Sequence, residues 1–291
     1  NGLNSISLLT TKPFDRIMIE QNTGLSVTLA TTEIHHVFVE KFCAETVLPA
    51  NLPCNELIRW QAPAYPVFID QGHSGVNVSG ACVNCGITDA DNLIDNDANN
   101  YASINILASL SATASLAVKN AKTVYPAGMF AGFEVDLQRT VSVAVGTYYT
   151  ITTYLAGVQQ DQVIYNAALV SGGVFATGGK FVTGFKTTKD FDEIQFTLNN
   201  AVAAGTKPVR VYGAVVKRFC AGDALTCNTP VSLTEDRYPV YVDGRHTGIN
   251  AVACVNCNII GAGNAIDNNP ANYTEVVLPV GAASTAAYAV S

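Results

Sequence analysis

The sequence predicts an all-β protein, built from tandem antiparallel β-sandwich domains of jelly-roll type with disulfide-stapled connecting segments. Three observations support this fold class: strand-like segments, turn signals between them, and a long internal repeat. The clearest segments, 147–155, 191–198 and 209–216, are rich in β-branched and aromatic residues. Many short strands separated by turns are typical of an antiparallel sandwich.

The turn signals lie at Pro-Ala-Gly 126–128, at the Gly-Gly pairs 172–173 and 178–179, and at Asn-Asn 199–200. Segment 102–121 is ambiguous, because its Ala and Leu content is compatible with a helix. Its many Ser and Thr residues compete with a helix interior by hydrogen bonding to nearby backbone. They favour a strand, and both alternatives stay open at this point.

The internal repeat is the strongest signal, and it has the length of a whole domain. Phe42-Cys43 returns as Phe219-Cys220, and Cys-Val-Asn-Cys at 82–85 returns unchanged at 254–257. Other matching segments include 10–15 with 187–192, 65–77 with 238–250, and 92–101 with 264–273. The sequence therefore predicts the C-terminal part of a preceding repeat at 1–42, one complete repeat at 43–219, and the N-terminal part of the next repeat at 220–291. Within the complete repeat we expect a cysteine-rich segment, 43–85, followed by the sandwich, 86–219.

Composition narrows the class of protein further. The chain has 291 residues with 16 Lys and Arg against 23 Asp and Glu, giving a net charge of −7. A chain this poor in basic residues lacks the electrostatic footprint of a nucleic-acid-binding protein. Its apolar stretches are much shorter than the ~20 residues of a membrane span. Residues 1–11 carry no export signal and begin without Met, so we expect the chain to be a piece of a longer array.

The cysteines follow the repeat as two sets of four, and their even number favours disulfides in an oxidising compartment. The number of residues between the first two cysteines differs between the copies. A loop that is closed at its base by its own disulfide would tolerate such a change in length. This predicts bonds Cys43–Cys54 and Cys220–Cys227, with each Cys-x-x-Cys pair closed locally. A tetrahedral zinc site and a redox-active Cys-x-x-Cys are the alternatives. The two sets are Cys43, Cys54, Cys82 and Cys85, and Cys220, Cys227, Cys254 and Cys257.

Several motifs resemble the tandem domains of giant cell-surface adhesins of Bacteroidetes, the gliding-motility type that the type IX secretion system exports. The motifs are Tyr-Pro-Val-x-x-Asp at 65–70, Cys-Val-Asn-Cys, the segment 92–101, Tyr-Pro-Ala-Gly at 125–128 with Ala-Gly-Phe at 131–133, 150–157, and Gly-Phe-Lys-Thr-Thr-Lys at 184–189. The resemblance implies a secreted filament of β-domains that reaches from the cell to a substratum. Its partners would be neighbouring repeats of the same chain, the secretion machinery, and a surface polysaccharide or other substratum.

Segment 92–101 also resembles the Asp-containing loop of galactose-binding-like jelly rolls, which often holds a structural calcium. Hard oxygen ligands suit calcium. However, Asp and Asn also cluster wherever a loop needs side-chain-to-backbone bonds, and this ordinary turn chemistry is the alternative. Apart from this calcium we expect no cofactor. The candidate ligands are Asn92, Asp95, Asp97 and Asn99, with Asn264, Asp267, Asn268 and Asn269 in the second copy.

The remaining candidate residues do not predict catalysis. Trp60 could stack on a sugar if exposed, but the second copy has no tryptophan, so we interpret Trp60 as a cap over the disulfide loop. His73 and His246 lie in Gly- and Asn-rich turns, and His35 and His36 have no counterpart in the second copy. We expect hydrogen-bonded turn histidines. The sequence has no Gly-x-Ser-x-Gly, His-Glu-x-x-His or phosphate-binding loop, so we expect no enzyme activity.

Together these features predict a secreted, cell-surface structural and adhesive repeat that acts as a rigid spacer, in which repetition raises the avidity of weak sites. The alternative is a carbohydrate-binding jelly-roll module of a secreted protein. Aromatic platforms at equivalent positions in both copies would favour the module.

Overall fold

A computed structural model of the chain confirms the all-β class. It describes residues 6–20, 33–45, 47–79, 82–137, 148–165, 180–204, 208–250, 253–255, 258–282 and 285–291. In these residues the helical elements are short 3-10 turns at Pro49–Asn51, Ala90–Leu93 and Ala262–Ala265. Nothing in them is both helical and apolar over the length that a bilayer span requires.

The strands form one main sheet and a smaller set of two-stranded pairs nearer the C-terminus. The main sheet contains β1 Leu57–Arg59, β2 Val67–Ile69, β3 Gly75–Val78, β4 Cys82–Thr88, β5 Ala102–Asn120, β6 Phe130–Asp136, β7 Tyr148–Leu155, β8 Val158–Tyr165, β9 Phe181–Lys186, β10 Glu193–Ala204 and β11 Val209–Lys217. The two-stranded pairs contain β12 Gly248–Asn250, β13 Ala253–Val255, β14 Asn258–Ile260, β15 Glu275–Val277, β16 Val280–Ala282 and β17 Thr285–Ala287.

Strand β5 is the element around which the sheet is arranged. Along one edge it pairs with β10, and near its start it also pairs with β11. Along the other edge it pairs in turn with β4, β3 and β2. All these pairings are antiparallel, and the main path runs β8-β7-β10-β5-β11-β6-β9.

The main sheet is folded into two layers that share one core. Strands β10 and β6 are three steps apart in the path, so in a flat sheet they would lie about 14 Å apart. Instead the rings of Phe196 and Phe133 pack edge to face with centroids 6.0 Å apart. The hydroxyl of Tyr149 on β7 lies 2.9 Å from that of Thr183 on β9. These contacts join the two ends of the path and define a sandwich.

The structure confirms most of the expected strands and corrects one turn. Strands β7 and β11 match the predicted segments, and the ambiguous segment 102–121 is strand β5. The turn predicted at Asn199-Asn200 is wrong, because β10 continues through both residues, which pair with Thr113 and Ala112. A long partner strand outweighs the local turn preference of asparagine. The Gly-Gly pairs 172–173 and 178–179 lie outside the described residues.

Trp60 is a core residue, which corrects both interpretations of it. Its side chain is 0% exposed and packs against Tyr125 and Phe191 at centroid distances of 4.9 and 6.1 Å. Trp60 directly follows β1, whose pairing with β11 brings the indole into the sandwich. It therefore neither caps the disulfide loop nor offers a platform to a sugar.

The second copy repeats the strand register of the first. Pairs β12–β17, β13–β16 and β14–β15 correspond to the pairing of β5 with β3 and β4. The sequence repeat is therefore also a repeat of backbone pairing. Equivalent pairs are Gly75↔Ser115 and Gly248↔Ala287, Cys82↔Ser109 and Cys254↔Gly281, and Thr88↔Ser103 and Ile260↔Glu275.

The buried tyrosine pair of the core predicts the alkaline stability of the protein. Tyr149 and Tyr165 stack with ring centroids 4.7 Å apart, and burial raises the pKa of both phenols. The unfolded chain releases these protons near pH 10, whereas the folded protein retains them. Their contribution to stability is therefore present below about pH 10 and is lost as the pH rises above it.

We expect the melting temperature to be nearly constant from about pH 8 to 9.5 and to fall above about pH 10. The double variant Tyr149→Phe, Tyr165→Phe should show a shallower fall, because the unfolded variant has fewer phenols to ionise. Thermal melts across this range test the prediction. Equal slopes for both proteins would contradict it.

Candidate functional site

The most distinctive site is the junction between the two copies, where a disulfide joins Cys54 to Cys220. Their Cα atoms lie 5.4 Å apart, although 166 positions separate them in sequence. The predicted bonds Cys43–Cys54 and Cys220–Cys227 are therefore wrong. Cys43 and Cys227 are free thiols on the surface.

Strand pairing explains this connectivity. Antiparallel pairing of β1 with β11 brings the segment before β1 next to the segment after β11. There Cys54 forms a parallel bridge with Arg218, which places Cys54 beside Cys220. The number of residues between Cys43 and Cys54 has no influence on this geometry.

Hydrogen bonds around the disulfide hold the two cysteine-bearing segments together. Asn55 donates its backbone N–H to Arg218 O at 2.8 Å, and its side-chain Oδ1 accepts from Cys220 N at 3.1 Å. Asn55 has φ of 58°, a left-handed conformation that asparagine tolerates better than most residues. Arg218 Nε donates to Leu52 O at 2.7 Å. The disulfide is therefore part of an ordered contact.

The second disulfide, Cys82–Cys85, agrees with the predicted local closure. With Cys54 bonded to Cys220, the described cysteines of the first copy do not form the alternative four-cysteine zinc set. The side chains of Cys254 and Cys257 lie outside the described part of the structure, so their local bond stays a prediction.

Next to the disulfide, the second copy packs on the first around an aromatic contact. Tyr241 lies against Phe130 and Phe219, with ring centroids 5.4 and 5.8 Å away. The buried ammonium of Lys217 donates to Glu235 Oε2 at 2.5 Å. These contacts connect β6 and the end of β11 to the segment before β12.

This packing leaves a cleft of about 410 Å³ between the copies, within the size range of small-molecule sites. Rings of Phe130, Phe181 and Tyr241 provide apolar surface. Polar groups come from both copies: Glu134, Lys180 and Lys217 from the first, and Glu235 and Asn264 from the second. Glu134 also pairs with Arg59. The cleft combines flat apolar surface with donors and acceptors.

A separate polar cluster lies around Glu193, which is 0% exposed and lies on the opposite face of β10 from the core residues Ile194 and Phe196. His73 Nδ1 lies 2.5 Å from Glu193 Oε1, and Lys119 Nζ donates to Oε2 at 3.2 Å. The His73 ring stacks on Tyr154 at 4.2 Å. Burial raises the pKa of the Glu193 carboxyl, and the hydrogen bond from His73 opposes that shift.

Asp70, His73 and Glu193 place their potential ligand atoms within 4.8 Å of one another. Lys119 already supplies a cation to the same carboxylate, so the group is better described as a buried ion network that ties the β2–β3 turn to β5 and β10. His73 is a turn residue as expected, with its N–H donating to Asp70 O at 3.2 Å. Its partner Glu193 could not be predicted from the sequence, because 120 positions separate the two residues.

The loop proposed to bind calcium is closed by its own side chains. Asp95 Oδ1 accepts from Asp97 N at 2.9 Å, and Asp95 Oδ2 accepts from Asn100 Nδ2 at 2.6 Å. Asp97 Oδ1 accepts from Asn99 N at 2.8 Å, and Asn92 Nδ2 donates to Tyr101 O at 2.9 Å. This arrangement is ordinary turn chemistry, and calcium stays a prediction.

The second copy builds the same loop from its own residues. Asp267 accepts from Asn269 N and from Asn272 Nδ2 at 2.9 and 2.7 Å, and Asn264 Nδ2 donates to Tyr273 O at 3.0 Å. Asn268, in contrast, donates its Nδ2 to Asp236. Asn269 stands where the first copy has Asp97, and it preserves the acceptor, since Asn269 Oδ1 accepts a hydrogen bond from Ala271 N. The hydrogen-bonded turn thus survives the change of charge.

Comparison with known proteins found no matching family model and no matching curated protein. Among solved structures, the chain is similar to CBM32-3 from a family 31 glycoside hydrolase of Clostridium perfringens, with 15% identity, 53% of this chain and 91% of that chain covered, and a TM-score of 0.32. It is similar to the xylan-binding module CBM15, with 11% identity, 52% and 95% coverage, and a TM-score of 0.30.

A third similarity is to the enzymatically active domain of tailspike protein 4 of bacteriophage CBA120, with 12% identity and a TM-score of 0.30. The match covers 49% of this chain and 19% of that one. At these identities and TM-scores the similarities assign neither a family nor a ligand to the chain.

The ion network yields a paired prediction, because the repeat supplies a matched control. His73→Ala would leave the buried Glu193 with Lys119 alone, so we expect a loss of about 1–3 kcal/mol in the free energy of unfolding. The side chain of the equivalent His246 bonds Asp243 instead of a glutamate, and it is 68% exposed. His246→Ala should change stability by no more than about 0.5 kcal/mol. Urea denaturation of both variants tests this, and equal losses would contradict it.

Proposed function

We propose that this chain is a structural repeat segment of an extracellular protein, in which successive repeats are held in a fixed arrangement. The observation that carries the proposal is the Cys54–Cys220 disulfide, which joins the segments that begin two successive copies. A covalent bond at this position limits the bending freedom of the connection.

The connection itself supports a stiff arrangement. Lys217 ends β11, and Arg218 and Cys220 follow directly within the bonded junction, without a Gly/Ser-rich spacer. The contacts of Tyr241 with Phe130 and Phe219 add packing beside the disulfide. Repeats joined in this way would keep a constant relative orientation.

The disulfides indicate an oxidising compartment, consistent with secretion. The proposal goes further: the segment belongs to a surface filament of the kind that the Bacteroidetes motifs suggest, exported by type IX secretion and attached to a substratum through many weak sites. Its partners would include the neighbouring repeats of the same chain. In this proposal the protein is not an enzyme.

Small-angle X-ray scattering tests the fixed junction. The double variant Cys54→Ser, Cys220→Ser should have a larger radius of gyration and maximum dimension than the wild type, since 220–291 can then move away from the sandwich. The matched control is Cys82→Ser, Cys85→Ser, which removes the local disulfide and should leave both dimensions unchanged. A broad distribution of dimensions for the oxidised wild type would contradict the proposal.

A second candidate function is binding of a saccharide in the junction cleft. A sugar presents a C–H face that packs on an aromatic ring and hydroxyls that bond carboxylates and ammonium groups. The cleft offers Tyr241 together with Glu134 and Lys180. The specific observation is that both kinds of surface meet in one space of about 410 Å³.

Calorimetric titration with a panel of neutral oligosaccharides tests this function. We expect at least one binder, and Tyr241→Ala should weaken its affinity by about tenfold or more, equivalent to ~1.4 kcal/mol. Tyr148→Ala is the control, because Tyr148 is an exposed tyrosine on β7 away from the cleft lining. Lack of binding across the panel, or equal loss in both variants, would contradict a saccharide site in the cleft.

A further inference from the structure

We propose that the junction is itself a repeated docking surface, through which a second molecule of this chain attaches by a disulfide between Cys227 of one molecule and Cys43 of the other. The two halves of the surface are residues 220–230 and residues 33–43. The internal repeat indicates which cysteines should pair. Cys54 is the second cysteine of one copy, and Cys220 is the first cysteine of the following copy. Shifted by one copy, the same bond joins Cys227, a second cysteine, to the first cysteine of another copy, and Cys43 of a second molecule is such a cysteine.

The two cysteines that this rule requires are the two described cysteines that are free. Both Cys43 and Cys227 are exposed thiols, whereas their equivalents Cys220 and Cys54 are bonded to each other. A pairing within each loop would instead have joined Cys43 to Cys54. The structure thus presents each half of the junction once in the bonded state and once in the free state.

The first free half already has the left-handed residue that follows the cysteine of the bonded one. Asn228 follows Cys227 with φ of 57°, and Asn55 follows Cys54 with φ of 58°. The difference lies in burial. Leu52 is 1% exposed in the bonded junction, while its counterpart Leu225 is 67% exposed. Residues 220–230 therefore display an apolar side chain that their equivalents bury.

The second free half likewise exposes side chains whose equivalents are buried in the bonded junction. Residues 33–43 are the repeat equivalent of β11 and the residues that follow it. Val216 on β11 is 0% exposed, whereas its counterpart Val39 is 72% exposed. Lys41 stands at the position of Arg218, so a cationic donor is available for the carbonyl of Leu225, the counterpart of the Leu52 carbonyl that Arg218 bonds.

Cys43 is placed on its own copy in the same way as Cys220 is placed on the following copy. Phe219, just before Cys220, packs on Tyr241 with centroids 5.8 Å apart and planes at 34°. Phe42, just before Cys43, packs on the equivalent Phe68 at the same 5.8 Å and 34°. The Phe-Cys pair therefore enters both copies in the same way, and Cys43 faces outward as Cys220 does toward its partner.

Bond formation is a thiol–disulfide exchange with a small disulfide as the oxidant. The thiolate of one cysteine attacks glutathione disulfide, forms a mixed disulfide and releases one glutathione thiolate. The thiolate of the partner cysteine then attacks the protein sulfur and releases the second. Two cysteine thiols are oxidised to one disulfide, and one glutathione disulfide is reduced to two glutathione molecules.

The test is a complementation between single variants of the full chain in a glutathione redox buffer. Wild-type protein should form a ladder of covalent oligomers on non-reducing gels that collapses on reduction. Cys43→Ser and Cys227→Ser should each stay monomeric alone. Mixed together, they should form a covalent dimer only, and peptide mapping should find Cys43 bonded to Cys227 with Cys54–Cys220 intact.

Surface variants separate docking from random thiol collision. Val39→Asp and Leu225→Asp should each lower the initial rate of dimer formation in the mixture by about fivefold or more, equivalent to ~1 kcal/mol. Leu278→Asp, at a side chain that is 42% exposed and outside both halves, is the control and should leave the rate unchanged.

Several outcomes would overturn the proposal. These are a dimer formed by either single variant alone, a Cys43–Cys227 bond within one chain, the absence of any covalent assembly, and equal rates for the surface and control variants. Melting temperatures of all variants should match the wild type, because the substituted side chains are exposed.

Discussion

The architecture depends on the continuous backbone hydrogen bonding of strand β5. At 19 residues it is much longer than the five or six residues of an average strand. It uses both edges over most of its length, with β10 on one side and β4, β3 and β2 in succession on the other. Its inward positions include Ala102, Ala112 and Ala114, each at most 2% exposed. Small side chains there leave room for the aromatic rings of the other strands, so the Ala- and Ser-rich composition that made this segment ambiguous is also what suits it to the centre of the core.

Local features of the fold could be predicted from the sequence, and non-local ones could not. The alternation in β7 and β11, the Cys82–Cys85 pair and the Asp95 turn depend on residues close in sequence, and the turn recurs in the second copy with the same hydrogen bonds. The partner of Cys54 depends on the pairing of β1 with β11. In the same way, Glu193 reaches His73 only because β10 lies beside β5. Spacing within a loop carries no information about either contact.

The two copies show how much of a site depends on distant strands. His246 and Asp243 reproduce the local turn of His73 and Asp70, yet the imidazole of His246 remains largely exposed. The first copy adds a buried carboxylate from β10 and an ammonium from β5, and the same turn becomes part of a buried ion network. Equivalent sequence thus yields equivalent backbone, while the electrostatic environment is set by the strands that pack against it.

The Cys54–Cys220 bond also determines how the molecule would carry mechanical load. A pulling force that enters at Cys54 and leaves at Cys220 passes through the sulfur atoms, so residues 55–219 lie outside the path of tension. Fully extended, that stretch would be on the order of 600 Å long. As long as the bond is oxidised, this contour length stays locked, and the sandwich remains folded under forces that would unravel an unbridged domain. Reduction would place the sandwich in the path of tension, so that force could then unfold it, which makes the redox state of one cysteine pair the control on how far the chain can stretch.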